Sequence, residues 1–179
     1  GQFQDAELRG PCEGDLREEA YAFLEHRTGG AEGKPMVAYA DTSFLVSLYG
    51  QDANSAVAQN LSVTFKTPLA FTPLLRHEAR NAIRLAVFRK EITPDESRAV
   101  LAEIEADAKT GVLIETPVAW AEVYAEAEAL SAAHTGTLGT RAFDILHVSA
   151  AVALGIKEFY TFDARQKALA VKVGMTVKP

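Results

Sequence analysis

The sequence predicts an α/β protein: a three-layer α/β/α arrangement around a central, mainly parallel sheet of four to five strands. Three observations predict it. Short apolar runs of strand length alternate with longer helical patterns, and strands separated by helices pair in parallel with both faces covered. Two of those runs, 37–40 and 158–162, are each followed by an aspartate at the point where a helical pattern begins. The composition, 48% hydrophobic and 23% charged over 179 residues, supplies a core for one domain plus an appendage.

The first 35 residues read as that appendage. They hold four Lys/Arg against eight Asp/Glu, leaving 14 basic and 16 acidic residues in the remainder, so the net charge of −6 belongs largely to an acidic head. Within the head, 15–26 has the pattern of a short amphipathic helix, Asp15 is its N-cap candidate, and 28–35 is a Gly-rich linker. Upstream or fused sequence is one reading of this stretch. Docking of Leu16, Tyr21, Phe23 and Leu24 on a surface of this or a neighbouring chain is the other. The domain proper is assigned to 36–179. A single cysteine, Cys12, excludes an intramolecular disulfide and fits a reducing compartment. With no apolar run approaching ~18 residues and no basic-then-apolar amino terminus, the expected address is the cytoplasm. A near-neutral domain leaves nucleic-acid binding to a local basic patch rather than to bulk charge.

In order, 37–40 is the first strand, and 43–49 and 54–65 read as helices separated by Gly50. Residues 69–72 form the second strand. Pro73 opens a helix over 74–90, proline being tolerated in a first turn. Thr93-Pro94-Asp95-Glu96 has the spacing of a capping box and starts a helix to about Lys109. A third strand over 111–117 stops at Pro117, an alanine-rich helix covers 118–133, and 134–140 reads as a loop. A largely apolar helix over 141–154 ends at Gly155. The strand at 158–163 repeats the design of the first, a helix over 164–173 closes at Gly174, and 175–177 is an edge strand.

Four carboxylates stand out: Asp41 and Asp163 at strand ends, Glu78 near the start of the helix after the second strand, and Asp144 in the first turn of an apolar helix. Taken singly, each aspartate has an ordinary explanation as a helix cap or a dipole partner, and Glu78 as a first-turn glutamate. Parallel topology adds something caps do not require, since it delivers all four to the carboxyl edge of one sheet, where open α/β folds bind ligands. Several carboxylates brought together repel unless a cation neutralises them, and oxygen-only donors select hard ions such as Mg²⁺ or Mn²⁺. That chemistry suits phosphodiester hydrolysis.

The motifs Ala40-Asp41-Thr42-Ser43-Phe44-Leu45, Arg76-His77-Glu78-Ala79-Arg80-Asn81-Ala82, Phe143-Asp144-Ile145-Leu146-His147-Val148-Ser149-Ala150-Ala151 and Tyr160-Thr161-Phe162-Asp163 resemble, in this order, the four motifs of PIN-domain ribonucleases, specifically VapC-type toxins of bacterial toxin–antitoxin pairs. The resemblance runs from Met36 to the carboxyl terminus. It implies a PIN-like fold and a Mg²⁺- or Mn²⁺-dependent endoribonuclease with RNA as substrate, often a homodimer, silenced by a cognate antitoxin protein. It also implies that Asp41, Glu78, Asp144 and Asp163 are the catalytic and metal-binding acids, with Ser43 orienting the first and Thr161 in support. The acidic head and a longer segment between Glu78 and Asp144 depart from the usual pattern of such toxins.

Arg141, Arg165 and Lys167 are the candidates for RNA-phosphate contacts. Arg76, Arg80 and Arg84 recur at i, i+4 and i+8 and read as a solvated or partner-facing stripe rather than an RNA groove. His147 reads as a packed, hydrogen-bonded histidine, and Trp120 and the tyrosines as core. Competing functions are a PIN-like RNA-processing nuclease outside a toxin system, a phospho-accepting signalling domain, and a binding module without catalysis. The signalling reading lacks adjacent acids at the first strand end and an acceptor aspartate after the third strand, where Thr116-Pro117 follows Glu115. An aspartate-nucleophile phosphatase would want an acid at position 43, which is Ser43.

Overall fold

The structure, a computed structural model, describes residues 37–179. The acidic head, with its predicted helix and linker, lies outside the described residues. Five three-residue strands form one sheet: β1 (Ala38–Ala40), β2 (Leu69–Phe71), β3 (Leu113–Glu115), β4 (Glu158–Tyr160) and β5 (Thr176–Lys178). Their spatial order is β3-β2-β1-β4-β5, and every pairing is parallel. Seven principal helices surround it: α1 (Thr42–Tyr49), α2 (Ser55–Ser62), α3 (Pro73–Phe88), α4 (Pro94–Thr110), α5 (Trp120–Leu130), α6 (Ala142–Ala153) and α7 (Ala164–Lys172).

Alternation along the strands sets up the three layers. Successive side chains of a strand leave opposite faces. Ala38, Ala40, Leu69, Phe71 and Tyr160 therefore enter one core with Phe44 and Leu45 of α1, Leu75 and Ile83 of α3 and Ile104 of α4. Tyr39, Ala70 and Phe159 enter the other, with Val123 of α5, Val148 and Ala151 of α6 and Leu169 of α7. Helices α1 to α4 thus line one face and α5 to α7 the other. A fully buried leucine such as Leu75 contributes about 1.5–3 kcal/mol by leaving water.

Local chemistry sets most helix ends. The Thr93 hydroxyl accepts the Glu96 amide and the Glu96 carboxylate accepts the Thr93 amide, completing the predicted capping box of α4. Gly111, at φ 87, stops that helix in the left-handed region that favours glycine. The predicted loop after α5 differs. The chain continues through a π-helical turn, Ser131–Thr135, and one further helical turn, Gly136–Leu138, before Gly139 at φ 63 breaks it. Two glycines and three threonines read as loop, yet Thr135 and Thr137 bond Thr140 and the His134 carbonyl, so the hydroxyls are satisfied within a helical path. Aromatic burial is also uneven. Tyr39, Tyr49 and Tyr160 are buried as expected, whereas Tyr124 is 59% exposed and Trp120 only half-buried beside it.

Candidate active site

From β1 the chain passes to β2 and β3 on one side, then crosses to β4 on the other. This order puts the topological switch point between β1 and β4, the place where open α/β sheets leave a crevice at their carboxyl edge. Asp41 follows β1 and Asp163 follows β4, flanking that crevice. Helices α3 and α6 begin at the same edge and carry Glu78 and Asp144 in their early turns.

Asp41 is fully buried. Its carboxylate accepts the Ser43 hydroxyl at 2.7 and 2.9 Å, the Thr161 hydroxyl at 2.7 Å and the Phe44 amide at 2.9 Å, the last making it the N-cap of α1. Ser43 Oγ also accepts the Phe162 amide, tying the start of α1 to the end of β4. Burial raises the Asp41 carboxyl above its ordinary range, against the opposing pull of the Phe44 amide, the Thr161 hydroxyl, His147 and Ser43. No salt bridge from a described residue reaches it.

Glu78 forms a second group. Its Oε2 accepts the Thr42 hydroxyl and lies 2.5 Å from His147 Nε2. His147 is fully buried, and its Nδ1 is 2.9 Å from the Tyr39 hydroxyl, which is 3.4 Å from Thr72 Oγ1, the N-cap of α3. Burial pushes the Glu78 carboxyl up, but the His147 and Thr42 hydrogen bonds hold the group below the usual carboxylate range. Burial, with the negative charges of Asp41 and Glu78 adding to it, drives the Tyr39 phenol well above its ordinary value despite the Thr72 hydrogen bond, so the hydroxyl keeps its proton.

Asp144 and Asp163 form the third group. Asp144 Oδ2 caps α6 by accepting the Arg141 amide, and Gln166 Nε2 approaches Oδ1 at 3.5 Å. Asp163 Oδ1 caps α7 through the Arg165 and Gln166 amides. The Arg165 guanidinium sits between the two carboxylates, 3.6 Å from Asp144 and 3.8 Å from Asp163.

The four acids therefore share one edge but are engaged in three hydrogen-bonded groups, and three of them also cap helices. Among the described residues no three His, Cys, Asp or Glu side chains gather closely enough to hold a metal ion in this arrangement. Of the candidate phosphate contacts, Arg165 is occupied as above, Lys167 donates to the Pro179 carbonyl at 2.7 Å, and Arg141 is exposed. The arginine stripe is less solvated than expected: Arg76 pairs with Glu105 and Glu115, and Arg80 with Glu105, fastening α3 to α4 and β3. Sequence reasoning passed over Tyr39, Thr42 and Gln166. The only signal was their spacing, two before and one after Asp41, and three after Asp163.

Solved structures with this architecture include VapC20 of Mycobacterium tuberculosis, described as a Sarcin-Ricin loop cleaving toxin. It is 19% identical, with a TM-score of 0.59 over 78% of this chain and 96% of that one. VapBC2 of Rickettsia felis, solved bound to a DNA fragment from its promoter, is 14% identical, with a TM-score of 0.53 over 80% and 98%. At such identities the likeness is one of fold. No curated protein matched by sequence. The PIN domain family model matches residues 38–172, most of the chain, and the protein belongs to the PIN domain family.

Proposed function

We propose that this protein is a divalent-metal-dependent endoribonuclease and the toxin of a toxin–antitoxin pair, with an antitoxin protein and a second copy of itself as partners. The observation that carries the reading is Asp41: a carboxylate without exposed surface, at the end of the central strand and beside the switch-point crevice, supplied with hydroxyl and amide donors. Membership of the PIN family and the VapC fold neighbours support it.

The donor chemistry fits a hard ion, since the edge offers carboxylate oxygens from four segments and, among the described residues, no thiolate. Asp41, Glu78, Asp144 and Asp163 would hold Mg²⁺ or Mn²⁺, which when bound supplies an acidified water and charge stabilisation at the phosphate. Ser43 and Thr161 fix the Asp41 carboxylate so that it does not rotate away from the crevice. Arg165 provides positive charge between Asp144 and Asp163 in the metal-free chain and stands within reach of an RNA phosphate entering there. Hydrolysis with water as nucleophile would leave a 5′-phosphate and a 3′-hydroxyl.

The test is incubation of the full chain with tRNA and rRNA in Mg²⁺ or Mn²⁺, and in chelator, alongside Asp41→Asn. Cleavage by the wild type only with metal, and none by the variant, is expected. Intact RNA in every tube, or metal-dependent cleavage by a folded Asp41→Asn chain, overturns the proposal.

A further inference from the structure

Glu78 belongs to the α1–α4 layer and His147 to the α5–α7 layer, so their 2.5 Å contact joins the two layers across the end of the sheet. We propose that His147, buttressed by Tyr39, is a positioning residue that locks one oxygen of Glu78 and presents the other to the catalytic cation. The inference rests on the nuclease reading above.

The hydrogen bonds have a definite direction. Oε2 of Glu78 already accepts the Thr42 hydroxyl, and a carboxylate oxygen 2.5 Å from Nε2 accepts from the ring as well, which places a proton on Nε2. The Tyr39 hydroxyl lies 2.9 Å from Nδ1 and, with the ring proton on Nε2, is the donor to it. A ring that accepts at Nδ1 and donates at Nε2 has a fixed tautomer and a fixed orientation, the device by which outer groups commonly orient ligands to a metal. The Tyr39 ring is itself clamped by near-parallel stacking on Phe159, centroids 5.4 Å apart at 3°.

The asymmetry of Glu78 gives the relay its purpose. Thr42 and His147 both donate to Oε2, and no described residue hydrogen-bonds Oε1. A carboxylate serving purely as an interlayer strap would gain from sharing two donors between its two oxygens. Here one oxygen takes both donors while the other, on a side chain 29% exposed, has no hydrogen-bond partner among the described residues and keeps its lone pairs. Oε1 is therefore the Glu78 atom that would be offered to a cation. His147 is not a proton-transfer group in this scheme; both its ring nitrogens are committed to protein partners.

Two measurements test this on the full chain. Ring ¹⁵N NMR of the metal-free protein should find the His147 proton on Nε2; a proton on Nδ1 alone overturns the relay. Mn²⁺ binding, followed by calorimetry and by loss of the free-ion EPR signal, should weaken about ten- to a hundredfold in His147→Leu, be largely restored in His147→Gln, which keeps a side-chain N–H donor, and fall between the two in Tyr39→Phe. Folded His147→Leu with wild-type Mn²⁺ affinity overturns the positioning role. Should His147→Leu not fold, Thr42→Val removes the other Oε2 donor isosterically and is expected to weaken Mn²⁺ binding severalfold, an unchanged affinity being the overturning result. A wild-type chain that takes up no Mn²⁺ overturns the nuclease reading together with this role. A wild-type chain that binds Mn²⁺ as tightly as its folded variants do overturns the role alone.

Discussion

Burial and hydrogen bonding pull the Asp41 carboxyl in opposite directions, and burial prevails. A folded chain whose carboxyl holds its proton more tightly than the unfolded chain does loses stability as pH rises from the ordinary value of 3.8 through the higher folded value. Denaturant midpoints of the metal-free wild type should therefore fall over that window. Asp41→Asn removes this component, so its midpoint should match or exceed the wild type's at neutral pH. Thr161→Val deletes one donor to the same buried carboxylate and is expected to cost the metal-free protein about 1.5–3 kcal/mol, read from urea unfolding. The acids themselves were legible in the sequence because an aspartate that ends an apolar run can be placed by topology alone. The Tyr39–His147–Glu78 relay was not, because it joins residues 108 and 69 positions apart, the second pair from opposite layers, and no local pattern encodes which helix faces cross the end of a sheet.

At the level of elements, capping boxes and glycine stops were readable because they are satisfied within four or five residues. The Thr93–Glu96 box and the left-handed Gly155 and Gly174 lie where the pattern put them, whereas Gly111, read as the first residue of the third strand, is the left-handed cap of α4. The path after α5 was not readable, because threonines and glycines favour turns in isolation, while here hydroxyl bonds carry the helix on to Leu138. Gly139 alone then turns the chain toward Asp144. A side chain at Gly139 meets nothing within 4 Å, so Gly139→Ala isolates the cost of a left-handed backbone, about 1–2 kcal/mol in unfolding free energy. The arginine stripe makes the same point from the other direction. Its spacing was plain, but its partner Glu105 lies on α4, and only the packing of α3 against α4 turns Arg76 and Arg80 of a stripe read as solvated or partner-facing into an interhelical fastening, with Arg84 left exposed.

At the scale of the molecule, the described residues 37–179 hold a five-stranded sheet with β1 at its centre and a core on each face. A chain started at Met36 is expected to fold with a cooperative thermal transition like that of the full chain. A broad, non-cooperative melt of the shortened chain would show instead that the acidic head completes the domain. The layer arrangement was legible because alternating strands and helices admit few topologies. Among the described residues no helix is long and apolar enough to cross a membrane.

The outermost strands, β3 and β5, are three residues long; Pro117 follows β3 after one residue and Pro179 follows β5 directly. A proline has no amide hydrogen to extend a ladder, and so short a margin offers little template for cross-β growth. Growth by strand addition at either margin of this sheet is accordingly disfavoured, and lasting association through residues 37–179 falls to helical surfaces pressed side by side.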